Sequence, residues 1–235
     1  MFSFKQFNIQ QDKCAMKVGT DGVLLGAWAP LDHNPYSILD IGAGTGLIAL
    51  MLAQRSNAEQ IDALEIDDDA YEQAVDNFES SPWGDRLFCY HAGLDEFMEE
   101  PEDEYDLIVS NPPFYTEDYT SGNEQRDTAR FASSLPFEDL VEAASLLLSD
   151  NGVFAVILPF KEEEKFLALA KENGLYPVKI THVKGTPTTE TKRTLMAFSR
   201  QENTPPDIDE LVIETERHKY TPAYIALTQD FYLKM

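Results

Sequence analysis

The chain is short of cysteine, of histidine, of basic residues and of long apolar runs. Its two cysteines, Cys14 and Cys89, lie far apart in 235 residues and make neither a disulfide framework nor a metal-site spacing. So little cysteine suits a reducing compartment. The four histidines (His33, His91, His182, His218) show no ligand spacing, so no metal is expected. No apolar run approaches the ~20 residues that span a bilayer. The first nine residues carry Lys5 but no apolar core, which predicts no secretory signal and a cytoplasmic protein away from membranes.

Basic residues number 18 against 42 acidic ones, for a net charge of -24. A total of that sign repels polyphosphates, and neutralising phosphates takes Lys and Arg. The distribution is uneven, however. Residues 59–106 hold 18 acidic side chains and a single basic one, Arg86. Residues 176–200 hold five basic side chains (Lys179, Lys184, Lys192, Arg193, Arg200) and only Glu190 in opposition. The acidic stretch is at least in part a solvated face that keeps the protein soluble.

What is present is a packed α/β pattern. The apolar fraction is 43% and the aromatic fraction 11%, ordinary for a globular chain. Short apolar runs predict strands at Ser37–Ile41, 61–66, Leu87–His91, Tyr105–Ser110, 152–158, 178–183 and 194–199. Amphipathic stretches predict helices over 46–54, 68–80, 136–148 and 161–173, the last stopped by Gly174. Asp68 and Asp69 at the start of the second suit the positive end of its dipole. This alternation predicts a mostly parallel, seven-stranded sheet with helices on both faces, in one domain over 1–235. Within it, 37–200 form the core, 1–36 an extension lining the site, and 201–235 a tail of strands that pair at the sheet edge or cover the site. Residues 114–134 have weak periodicity and read as a functional loop.

Three features carry chemistry. Asp40-Ile41-Gly42-Ala43-Gly44-Thr45-Gly46 leaves a strand and opens a helix, and its glycines let the backbone turn tightly against a ligand. A dinucleotide fingerprint places its third glycine three positions after the second, whereas here the glycines fall at 42, 44 and 46. Glu65 ends the next strand, where a carboxylate can accept both hydroxyls of a ribose. Asn111-Pro112-Pro113-Phe114 follows the strand Tyr105–Ser110, at the carboxyl edge where open α/β sheets bind ligands. An exocyclic amine or amide nitrogen has its lone pair delocalised and is a poor nucleophile. The Asn111 side-chain carbonyl and the Pro112 backbone carbonyl can accept its two N–H groups. That pulls the nitrogen toward a tetrahedral shape and aims its lone pair. Pro112 and Pro113 stiffen the acceptors before reaction, and Phe114 offers a flat face for an unstacked base.

In that order, these motifs resemble the Rossmann-like class I methyltransferases that act on amino groups of bases or on glutamine amides. The run Met16-Lys17-Val18-Gly19-Thr20-Asp21-Gly22-Val23-Leu24-Leu25-Gly26-Ala27-Trp28 is similar to the leading motif of the bacterial tRNA1(Val) (adenine(37)-N6)-methyltransferase family. So are Lys192-Arg193-Thr194-Leu195-Met196 and the late Phe231-Tyr232-Leu233-Lys234, and the resemblance covers nearly the whole chain. It implies an S-adenosyl-L-methionine-dependent enzyme that methylates N6 of the adenine adjoining the anticodon of that tRNA. It implies that Lys17, Thr20 and Asp21 line the methionine end of the donor. Asp40, Gly42, Gly44, Gly46, Glu65, Asp95 and Asn111 would hold the rest, Asp95 near the adenine. Phosphates then need a basic rim, for which Arg126, Arg130, Lys184, Lys192 and Arg193 are candidates, with Lys5, Lys13 and Lys17. Three other functions stay open on sequence: guanine-N2 methylation of ribosomal RNA, glutamine-N5 methylation of a protein, and a non-enzymatic cofactor-binding or RNA-chaperone module. Phe114 in place of Tyr disfavours the second, and the intact Asn111 motif disfavours the third.

Overall fold

The computed structural model describes residues 1–14, 16–99, 104–113, 135–202 and 205–235. In chain order its elements are β1 (Phe2–Ser3), β2 (Asn8–Ile9), α1 (Thr20–Trp28), β3 (Ser37–Ile41), α2 (Leu47–Arg55), β4 (Gln60–Glu65), α3 (Asp68–Glu79), β5 (Leu87–His91), the short α4 (Leu94–Phe97) and β6 (Tyr105–Ser110). They continue with α5 (Phe137–Leu147), β7 (Leu148–Pro159), a single 3₁₀ turn (Phe160–Glu162), α6 (Glu163–Glu172), β8 (Tyr176–Lys184) and β9 (Thr191–Ser199). The tail holds β10 (Asp207–Val212), β11 (Glu214–Glu216), β12 (Lys219–Tyr220) and α7 (Pro222–Thr228).

The seven expected strands form one sheet, and β10 joins it as an eighth at the edge, in the order β10-β8-β9-β7-β6-β3-β4-β5. All pairings in it are parallel except those of β9, which runs antiparallel to both β7 and β8. The central strands are buried on both sides, as a sheet covered by helices must be. Side chains alternate between two cores. Ile38, Leu107, Val109, Ala155 and Ile157 face the core shared with α1 and α2. Leu39, Ile41, Ile108, Phe154 and Val156 face the core shared with α5 and α6. β3 has β4 on one side and β6 on the other, so the chain order reverses there. A crevice opens at such a switch point, outside the carboxyl ends of the strands.

Several boundaries have local causes. Asp67 caps α3 by accepting from the Ala70 amide at 2.9 Å. Gly174 has φ 72°, and the Leu175 amide turns back to the Ala170 carbonyl at 2.8 Å, closing α6. The tail, expected as strands, also contains α7, which Thr221 caps by accepting from the Tyr224 amide at 3.1 Å. Helix α1 was not expected from periodicity, because residues 22–28 are all buried and leave no polar face. Gly26 lets it press against α2, since a Cβ there would stand 2.7 Å from the Met51 sulfur. At the chain ends, Phe4 bridges to Tyr232, so the first hairpin is fastened to the last residues.

Candidate active site

The glycine turn joins β3 to α2 at the switch point. Gly42, Gly44 and Gly46 have φ of 75°, 57° and 75°, a region that L side chains rarely adopt. A Cβ on Gly42 or Gly44 would meet nothing within 4 Å, so the surface above them is open. Gly46 differs, because a Cβ there would stand 2.4 Å from the Phe78 ring. The amides of Gly42 and Ala43 both bond to the Leu64 carbonyl, at 3.0 and 2.9 Å. Asp40 lies beneath the turn, fully buried, with Oδ2 accepting from the Ala49 amide at 3.1 Å. Its Oδ1 has no partner among the described residues. Burial, against the Ala49 bond and with help from Glu65, pushes the Asp40 carboxyl up to about 7.

Glu65 sits at the end of β4 beside this turn. Its Oε2 accepts from the Gly44 amide at 2.7 Å and its Oε1 from the Asp67 amide at 2.9 Å. Both oxygens are therefore fixed, and each keeps a lone pair for a further donor. Asp95 is exposed in α4, one strand farther out.

The N-terminal segment reaches the turn through one asparagine. Asn77 Nδ2 donates to the Thr45 carbonyl at 2.9 Å and to the Gln10 carbonyl at 3.0 Å, while its Oδ1 accepts from the Gln10 amide at 2.8 Å. Gln11 Oε1 then accepts from the Val18 amide at 2.8 Å. Lys17 and Thr20 are exposed on this segment. This link through Asn77 was not expected from the sequence, where the only cue is an amide side chain within a run of acidic ones.

Asn111 follows β6, the neighbour of β3 on the side away from Glu65. Ser110 fastens this end of β6 by donating to the Ile41 carbonyl at 2.8 Å. Asn111 Oδ1 is buried and has no partner among the described residues. Pro112 is buried and Pro113 half-buried behind it. An unsatisfied buried carbonyl costs about 1–3 kcal/mol, so this oxygen is an acceptor open to a further donor. Phe114, Arg126 and Arg130 fall outside the described residues.

The basic candidates mostly have internal partners. Lys184 pairs with Glu210 at 2.6 Å, Lys13 with Glu72 at 2.9 Å, and Lys5 donates to the Gln229 carbonyl at 2.6 Å. Arg193 pairs with Asp21 at 2.8 Å, which joins a residue expected at RNA to one expected at the donor. Lys192 is exposed. Among the described residues no three His, Cys, Asp or Glu side chains come together as a metal site. No helix among them is long and apolar enough to cross a membrane.

A glycine turn with open space above it, a fixed carboxylate one strand away and an amide carbonyl without a partner among the described residues share one edge of the sheet. The methyltransferase small domain family model matches residues 24–170. A tRNA1(Val) (adenine(37)-N6)-methyltransferase of Flavobacterium johnsoniae is 75% identical over the full length of both chains. Its counterpart in Christiangramia forsetii is 62% identical, over all of this chain and 98% of that one. This chain belongs to that methyltransferase family. Solved structures share the fold at lower identity. A predicted O-methyltransferase from Agrobacterium tumefaciens has a TM-score of 0.71 at 19% identity, over 90% of this chain and 96% of that one. The T. thermophilus 16S rRNA N2 G1207 methyltransferase, solved with AdoMet and guanosine, has a TM-score of 0.55 at 20% identity, over 80% of this chain and 44% of that one. The sheet is that of a class I methyltransferase, with the described motif residues from Gly42 to Pro113 at one edge of it.

Proposed function

We propose that this chain transfers a methyl group from S-adenosyl-L-methionine to N6 of adenine 37 in the anticodon loop of tRNA1(Val). The orphaned Oδ1 of Asn111 carries this reading, because an acceptor buried without a partner fits a substrate N–H. The full-length likeness to enzymes named for that reaction supports it.

The donor fits the residues present. Gly42 and Gly44 leave room for it, Glu65 offers two fixed oxygens to ribose hydroxyls, and Lys17, Thr20 and Asp21 belong to the segment linked to the turn through Asn77. Bound there, it supplies an electrophilic methyl on a sulfonium. The protein's part is done by Asn111 and the backbone beside it. Oδ1 of Asn111 and the carbonyl of Pro112 accept the two N–H groups of the adenine amine. The nitrogen lone pair, no longer spread into the ring, is left pointing away from both acceptors. Pro112 and Pro113 hold the acceptors in place, so little reorganisation is needed as charge develops on nitrogen. A single-stranded anticodon loop already has its bases partly unstacked, which lowers the cost of bringing one into the site.

The test is a labelled methyl-transfer assay with unmodified tRNA, ribosomal RNA fragments and a glutamine-bearing release-factor peptide side by side, followed by nucleoside mass analysis. The expected product is N6-methyladenosine in tRNA alone. Label in guanine or in the peptide amide would overturn the proposal.

A further inference from the structure

We infer that a second nucleobase site lies on the far side of Asn111 from the glycine turn, in the hollow between Phe160 and the 186–189 turn, and that it holds an RNA base flanking the methylated adenine. The inference rests on RNA being the substrate, as proposed above.

The sheet order divides the carboxyl edge of the strands. β3 and β4 carry the glycine turn and Glu65, β6 leads into Asn111 between the two sides, and β7, β9 and β8 form the other flank. Ser110 is in register with Val156, so carrying the ladder forward puts Pro113 level with Pro159. Pro159 is in turn level with Arg193. Phe160 comes next, at the same carboxyl edge of the sheet and on the strand neighbouring the one that leads into Asn111. Every side chain from Phe154 to Leu158 is buried, yet Phe160 is 40% exposed. His182 meets its ring edge-on with centroids 5.1 Å apart, and Glu163 holds His182 at 2.9 Å. The ring is thus packed against His182 and still partly exposed.

The hollow beside it has a volume of about 530 Å³ and is lined by Phe160, Lys184, Pro187, Thr189 and Thr191 among others. That is within the roughly 300–1,000 Å³ of small-molecule sites. Its far wall is built rather than loose. The Thr186 amide donates to Thr189 Oγ1 at 3.0 Å, and the Thr189 amide donates back to the Thr186 carbonyl at 3.1 Å. The amides of Ile213 and Glu214 bond to the carbonyls of Lys184 and Gly185, both at 2.9 Å. Lys184 is paired with Glu210, and Glu190 lies on the rim, so the hollow has no spare positive charge for a phosphate. An aromatic face, threonine hydroxyls and no net positive charge suit a neutral base: the ring stacks and the hydroxyls meet the base edge. Withdrawing one adenine from a loop unstacks its neighbour too, and Phe160 offers that neighbour a new platform.

The experiment measures KM for tRNA and the donor's Kd in wild type, Phe160→Ala and Phe160→Trp. It uses intact tRNA and anticodon stem-loops made abasic immediately 5′ or 3′ of the target adenine. Phe160→Ala should raise KM for tRNA about tenfold, as loss of one base–aromatic stack does, with donor Kd unchanged. Phe160→Trp should restore KM, and its fluorescence should be quenched by the stem-loop. One of the two abasic substrates should carry the same penalty in wild type and none further in Phe160→Ala. An unchanged KM in Phe160→Ala, or an abasic penalty equal in wild type and variant, would overturn the inference. Failure of the underlying functional reading would look different, since the wild type would then methylate no tRNA at all.

Discussion

The guanidinium of Arg193 donates from Nε to the Asp21 carboxylate at 2.8 Å, joining the start of α1 to the start of β9 across 172 residues of chain. Both side chains are about one-third exposed (34% and 27%), so the pair is screened and its coupling should be below about 1 kcal/mol. Its consequence is positional. α1 opens at Thr20, and the segment leading into it is linked to the glycine turn through Asn77, which bonds both Gln10 and Thr45. Arg193→Ala should therefore weaken donor binding by up to about fivefold, the equivalent of 1 kcal/mol. Calorimetry across Asp21→Ala, Arg193→Ala and the double variant should give less than additive losses. If Arg193 serves instead as a phosphate contact, donor affinity will hold and the salt slope of tRNA binding will fall by about one.

Asn111→Ala removes the side-chain acceptor but leaves Ser110, which fastens the strand end through the Ile41 carbonyl. Single-turnover methylation should slow by on the order of 10²-fold, as when one preorganised polar partner is lost. The donor's Kd should stay at the wild-type value. The variant should not lose stability, because it deletes a buried carbonyl that has no partner among the described residues. Wild-type turnover in Asn111→Ala would remove this residue from the chemistry.

Much of the sheet was legible because a strand covered on both faces writes itself as a short apolar run between turns. Ser37–Ile41, Leu87–His91 and Tyr105–Ser110 agree with the structure residue for residue. The mostly parallel direction followed from strands alternating with helices, but the reversal of β9 was not legible, since an apolar run reads alike both ways and β9 turns back only through its hairpin with β8. α1 was hidden because a helix buried all round has no amphipathic contrast. The places of Gly42, Gly44, Glu65 and Asn111 at strand ends could be read from the sequence. The Arg193–Asp21 and Asn77–Thr45 links could not, because contacts between such distant positions leave no local pattern. Phe160 had one cue, an aromatic directly after a proline at the end of a buried strand.

Gly44 and Gly46 share a left-handed backbone yet should fail differently when given a side chain. Gly46→Ala drives a Cβ to 2.4 Å from the buried Phe78 ring. Overpacking at about 1–3 kcal/mol and left-handed strain at about 1–2 kcal/mol should together lower Tm by roughly 5–15 °C. Gly44→Ala meets no neighbouring atom, so only the backbone strain applies and Tm should fall by a few degrees. Its methyl would stand in the open space proposed for the donor, so the donor's Kd should rise more in Gly44→Ala than Tm alone would suggest. Thermal melts with and without S-adenosyl-L-methionine separate the two effects.

Asp40 gives the ligand-free protein a pH dependence whose sign can be worked out. Its folded pKa is raised from 3.8 to about 7, chiefly by burial. Between those values the folded state holds a proton on Asp40 that the unfolded chain has lost. Stability therefore falls as pH rises from about 4 to 7, and levels off above. A shift of that size corresponds to at most about 4 kcal/mol, at 1.36 kcal/mol per unit. Asp40→Asn keeps the acceptor for the Ala49 amide and removes the titration. The variant should match wild type in Tm at or below about pH 4 and exceed it increasingly up to pH 8. A wild-type melting curve flat over that interval, or one that Asp40→Asn leaves unchanged in slope, would show that Asp40 ionises in the folded state at no cost. Water reaching its partnerless Oδ1 would then be the physical reason, since a hydrated carboxylate loses most of its desolvation penalty.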